Sequence, residues 1–275
     1  MTLLPSLFVS HGAPDLALSD HPAARFLAQL GAALPRPRAI LVISAHWERP
    51  AAPAITTSPA PATIHDFAGW PRELYTLRYP APGAPWLAER VAGLLGSAGL
   101  PLAADPVRGL DHGAWVPLRL GWPAADIPVA QLSLIRGGDA AAHLALGRAL
   151  APLRGEGVLV LGSGAAVHNL GALAPEGTTP PVWAQAFDRW LAEALAAGNH
   201  EALCRFPALA PAAQAAHPSP EHLMPLFVAL GAGGEDAGAV RLHDSWSYGS
   251  LAMAAYAFGG CETSLGCQAL TCPPA

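Results

Sequence analysis

The sequence predicts one α/β domain, a central and mostly parallel sheet flanked by helices on both faces. Three observations carry this. Short apolar runs at about 6–10, 39–44, 128–134 and 157–162 are continuous rather than alternating, as strands buried on both faces are. Longer stretches between them repeat apolar residues at three- and four-residue spacing, and an alternation of strand with helix builds this architecture. Nothing divides the chain: its 275 residues, 52% hydrophobic and 13% charged, show no internal repeat, linker or shift of composition.

The first strand, Leu7-Phe8-Val9, stops at Ser10-His11 and gives way to Gly12 and Pro14. A helix follows in "PAARFLAQLGAAL" (22–34), and the next strand, opening "AILVISAHWERP", ends in Ser44-Ala45-His46. Residues 47–84 are Pro-rich and irregular, and so is 101–127; between them "PWLAERVAGLLGSAGL" (85–100) reads as a helix. Helices at 140–154 and 180–198 flank the strand at 157–162. Pro220-Glu221-His222 opens a further helix through "LMPLFVALGAG", with proline in its first turn. Residues 239–259 read as one last strand or hairpin and a short apolar stretch. The domain therefore spans 1–260, and 261–275, with Cys261, Cys267 and Cys272, is expected to be a tail with reduced thiols. No C-x-x-C pair occurs, so neither a zinc ribbon nor a thioredoxin motif is supported.

Net charge is -5 and no Lys or Arg cluster exists, which argues against nucleic acid or an anionic membrane as partner. No apolar stretch reaches eighteen residues, so no membrane span is expected. The N-terminus lacks the basic region and cleavage site of a signal peptide, and a cytoplasmic protein is expected. No feature reports an oligomeric state.

Histidine stands out: eleven against fifteen Lys plus Arg. His11 and His46 both stand where a strand ends, the edge at which open α/β sheets bind ligands. Each is open to two readings, a ligand of one shared metal or a hydrogen-bonded loop histidine. His168 follows the small-residue turn of "VLVLGSGAAVHNL" at the same sheet edge. That turn is no dinucleotide fingerprint, because Val167 stands where Gly or Ala is needed, and Leu161 denies Ser163 the nucleophile elbow. His112 lies in "GLDHGAW", a loop with little structural need for an imidazole, and His65 beside Asp66 belongs to a turn or to a substrate contact. His222 sits where a helix start fixes the backbone. His21, His143, His200 and His243 read as structural, and His217 as exposed.

Seven segments in order, "SHGAP", "SAHW", "IHDFAGWP", "YPAPGAP", "GLDHGAWVPL", "SGAAVHNL" and "PSPEHLMPL", resemble the class III extradiol ring-cleavage dioxygenases of the DOPA-dioxygenase type. The resemblance runs from residue 6 to about 259. It implies a non-haem Fe(II), or a Zn(II) found in its place, held by His11, His46 and His222. It implies an acid/base role for His168, and for His112 a place near substrate and oxygen. His65 and His112 are the candidate substrate-binding residues. A catechol-type molecule and O2 are the implied reactants. Ala13, where Ser is frequent, and Trp70, where Phe or another apolar aromatic is usual, bear on substrate preference. Two other readings share these residues: a zinc-dependent hydrolase, and a non-catalytic binding protein on the same fold.

Overall fold

The computed structural model describes residues 3–235 and 238–260; the expected tail at 261–275 lies outside the described residues. In chain order the first strands are β1 (Ser6–Ser10), β2 (Ala39–Arg49), β3 (Ala54–Thr56), β4 (Ala103–Asp105) and β5 (Val129–Ile135). They are followed by β6 (Val158–Gly164), β7 (Ala239–His243), β8 (Trp246–Ser247), β9 (Leu251–Ala252) and β10 (Ala255–Phe258). Eight of them form one sheet in the order β4-β3-β5-β2-β6-β1-β10-β7, and β8 and β9 make a separate hairpin. The central four, β5-β2-β6-β1, are mutually parallel, and β10 and β7 close one side antiparallel.

Alternation of side chains along each strand gives two buried layers. Leu7, Val9, Ile40, Val42, Leu159 and Leu161 face α1 (Pro22–Ala33), while Phe8, Leu41, Ile43, Val158 and Val160 face α2 (Pro85–Ser97). α3 (His112–Gly121) joins the first layer. α4 (Ala140–Leu150) and α5 (Val182–Ala196) join the second, which bears out the expectation of helices on both faces. Three short helices, α6 (His200–Cys204), α7 (Phe206–Leu209) and α8 (Ala213–Ala216), lead to α9 (Met224–Ala232), of which every residue is buried. No helix among the described residues is long and apolar enough to cross a membrane.

The structure corrects the sequence reading in several places: β3 falls within the stretch 47–84 read as irregular, and the chain after β7 holds the β8–β9 hairpin and β10, a strand of the main sheet. β2 runs on to Arg49, so His46 lies within a strand, where pairing with β5 shifts register between Ile43 and Glu48. The stretch 101–127 contains β4 and α3; Gly113 and Pro117 read as breakers, but Asp111 caps α3 by accepting from the Ala114 N–H. The last helix starts at Met224, with Pro225 rather than Pro220 in its first turn, and Pro220–Leu223 form a turn closed by Leu223 N–H on the Pro220 carbonyl. His217 is 5% exposed, its Nε2–H donating to the Ala166 carbonyl.

His143 on α4 ties proton uptake to stability. Its Nδ1 donates to the Asp139 carbonyl at 2.8 Å and its Nε2 accepts from the Ile135 N–H at 3.2 Å, which only a neutral ring can do. Burial pushes its pKa below the usual 6.5. Above that value neither folded nor unfolded ring is charged; as pH falls through it the unfolded chain takes up the proton first, and stability is lost. The urea midpoint should therefore fall between about pH 7 and about pH 5. His143→Gln, which offers a donor and an acceptor without a charge, should show a shallower fall, and an unchanged slope would discharge His143 from the effect.

Candidate active site

Three imidazoles converge at the carboxyl edge of the sheet. His11 follows β1 directly, its backbone N–H on the Gly164 carbonyl at 3.0 Å. His46 projects from the irregular part of β2, and His222 from the turn ahead of α9. That turn sits on the end of β6: the His222 carbonyl accepts from Ala165 N–H at 2.9 Å, and a Cβ at Gly164 would lie 2.0 Å from the same oxygen. Only glycine permits this approach. One ring nitrogen from each histidine lies within 4.8 Å of the other two.

Hydrogen bonding decides which nitrogens carry protons. Ser163 Oγ donates its single proton to the Gly113 carbonyl, so at His11 Nδ1, 3.0 Å away, it accepts. His11 Nε2 is therefore left bare. Glu221 Oε1 accepts from His222 Nδ1 at 2.9 Å, which bares Nε2 of that ring too, and His46 Nδ1 faces Asp66 Oδ2 at 3.7 Å. His46 Nε2 stands 3.0 Å from the bare His11 Nε2 and donates to it, a contact that a bound ion would replace. All three rings are held neutral: burial, reinforced by the neighbouring imidazoles, holds His11 and His222 well below the usual range, and burial with His112 brings His46 to about 4 despite Asp111 and Asp66. Three neutral imidazoles, two of them anchored through Nδ1 and each with one ring nitrogen close to the others, are the donor set of a divalent transition metal. The residues fit the implied ion.

The floor of the site is a buried polar network. Asp111, fully buried, accepts from Ser44 Oγ at 2.7 Å, from Arg108 at 2.9 Å, from Gln131 and from the first turn of α3. α3 is thereby set with His112 at its start and Gly113 against the metal-site histidines; a Cβ at Gly113 would lie 2.3 Å from Ser44 Oγ and 2.9 Å from His46 Cδ2. His112 is held by Asp66 Oδ1, 2.8 Å from its backbone N–H and 3.0 Å from Nδ1. Burial alone would raise the Asp66 carboxyl; these contacts, with His46 nearby, bring it to about 2. On the other side the His168 ring stacks on His222, centroids 3.5 Å apart and planes 8° apart. Burial lowers its pKa against the pull of Glu221. All five imidazoles open on one cavity of about 260 Å³ whose remaining wall is mostly apolar.

Residues 7–259 match the family described as "Catalytic LigB subunit of aromatic ring-opening dioxygenase". The chain belongs to this family. It is similar to 4,5-DOPA dioxygenase extradiol of Beta vulgaris, 46% identical over 92% of this chain and 96% of that one. To the enzyme of the same name from Escherichia coli K12 it is 39% identical, over 84% and 86%. A crystal structure of an uncharacterised Escherichia coli K12 protein superposes with a TM-score of 0.78 at 34% identity, covering 93% of this chain and all of that one. The protein is thus an extradiol ring-opening dioxygenase with a His-rich metal site, as the motifs implied.

Of the histidines singled out in the sequence, this dioxygenase gathers His11, His46, His112, His168 and His222 around one cavity. His65 is elsewhere. Its Nε2 meets the Leu77 carbonyl at 3.1 Å, its ring packs near Trp115 and Phe67, and it is not among the residues that line the cavity. Its neighbour Asp66 turns inward in its place. Ser163, Glu221 and Asp66, which orient the rings, are the functional residues that the sequence reading passed over. Each lies within a segment singled out for another reason.

Proposed function

We propose that His11, His46 and His222 hold one ferrous ion, and that the enzyme opens a catechol ring beside its two hydroxyls with dioxygen. The observation that carries this is the meeting of one ring nitrogen from each of three neutral histidines in the wall of a cavity flanked by two further imidazoles. When bound, the ion supplies a Lewis acid that favours ionised catechol oxygens and a centre able to exchange electrons with dioxygen. The chain's own part is to place the ring and move protons. The apolar wall takes the ring and excludes water. His168, neutral because burial lowers its pKa, receives the second catechol proton and later returns it. His112, its Nδ1 turned to Asp66, keeps Nε2 for a hydrogen bond with a substrate oxygen. Asp66 and Glu221 act through the rings they hold.

Zinc lies above Fe²⁺ in the affinity order, so protein purified in air is expected to carry zinc without being made active by it. Anaerobic reconstitution separates occupancy from function. The iron form is expected to consume O2 with a catechol and give a yellow ring-opened product, and the zinc form is not. An oxygen electrode and visible absorbance across a catechol panel check this. Absence of uptake by the iron form with every catechol, with ester or amide cleavage by the zinc form, would make the protein a hydrolase instead.

A further inference from the structure

The charge of the cavity wall bears on which catechol enters, an inference that rests on the ring-opening reading above. No arginine lines the cavity, and the sequence contains no lysine. Beyond the imidazoles the wall is built largely from Phe67, Trp70, Leu170, Leu173, Leu251 and Met253. Leu170 and Leu173 stay 63% and 45% exposed, so the apolar surface continues to the solvent. Four of the charged groups bonded to lining residues are acidic, and the one cation among them, Arg108, reaches only the His46 backbone carbonyl at 3.2 Å while paired with Asp111. Glu221 holds His222, Asp66 holds His112, Asp15 accepts the Tyr248 hydroxyl, and Glu176 accepts the Tyr248 backbone N–H. The nearby cations along the chain are engaged or outside: Arg78 binds the Tyr75 and Leu77 carbonyls, Arg108 binds Asp111, and Arg72 is exposed and not in the lining.

A carboxylate on the substrate would leave water for a wall that offers it no cation beyond the imidazoles, with only the Trp70 indole N–H as a neutral donor beside Leu170 and Leu173, and with like charges behind the residues it touches. A neutral substituent loses nothing there and covers apolar surface. We propose that this enzyme selects catechols whose ring substituent bears no acid group, the substituent lying against Trp70, Leu170 and Leu173. The preference differs from that expected for DOPA, the amino acid in the relatives' name, whose side chain carries a carboxylate and an ammonium.

The test uses two molecules that differ in charge alone as far as chemistry allows: 3-(3,4-dihydroxyphenyl)propanoate and its methyl ester. Turnover is read as kcat/KM by oxygen uptake of the iron form, and binding by anaerobic equilibrium dialysis against the zinc form. The ester is expected to be favoured by at least about tenfold in both. Leu173→Arg, at an exposed position that leaves the core intact, is expected to narrow that ratio by about tenfold through KM and Kd for the acid. Equal or tighter binding of the acid overturns the proposal, and so does a ratio that Leu173→Arg does not move. If neither molecule is turned over, the catechol panel above decides the ring-opening reading, while dialysis still decides the preference: a favoured ester supports it and parity sinks it.

Discussion

His11→Ala, His46→Ala and His222→Ala are each expected to lose bound metal and ring opening together. The parent, reconstituted and dialysed, should hold about one ion per chain, the stoichiometry of a single three-histidine site. Each variant should hold none after the same dialysis, because two imidazoles do not retain a divalent ion that three hold. The fold should survive. The rings line a cavity rather than fill the apolar layers, the backbone bonds of His11 to Gly164 and of His222 to Ala165 do not depend on the side chains, and each replacement removes a buried polar group held against its own kind. Metal analysis beside far-UV circular dichroism reads both halves. Three variants that all keep a full complement of metal would refute the assignment.

His168→Ala is expected to keep its metal and lose turnover by a factor of about 10²–10⁴, the usual worth of a positioned acid/base group. The ring rests on His222 by its face, so it gives that ligand a neighbour rather than an anchor; the anchor is Glu221. The main chain at 168 stays fixed by its N–H on the Ala216 carbonyl whatever the side chain. The loss should therefore fall on kcat with little change in KM, and His168→Gln, similar in reach but unable to exchange a proton near neutrality, should not restore it. Turnover equal to the parent would remove His168 from the chemistry. Loss of metal would instead make it a fourth ligand.

Much of this was legible in the sequence because burial leaves a simple trace. A strand covered on both faces has no use for alternation, so the runs beginning at Leu7, Ile40, Val129 and Val158 announce the sheet centre and its polarity. The strand-end position of His11 followed from where the first run stops, whereas His46 lies within β2, beyond the end of its apolar run. What local pattern could not give was direction. His65 and Asp66 are adjacent in an irregular segment, and only the tertiary path settles which faces the cavity. α3 was hidden for a related reason: Gly113 and Pro117 are poor helix residues, but Gly113 is what lets the helix start lie against Ser44 and His46. His217 reads as exposed among Ala and Pro, yet α5 and α7 bury it beside Phe187 and Phe206.

The placement of β1 has a consequence for the order in which the molecule is completed during synthesis. Among the described strands the first to be made, β1, lies between β6 on one side and β10 on the other, with Leu7 opposite Leu161 and Ala257. It has no permanent neighbour until residues 158–164 have been made, and its second edge stays open until residues 255–258 arrive. His222, too, emerges long after His11 and His46. An incomplete chain thus carries two of the three metal-site histidines on a strand pair that has not been joined, with an unpaired edge of apolar backbone open to other chains. The three-histidine cluster is therefore complete only after residue 222 has been made, and β1 keeps an open edge until β10 follows.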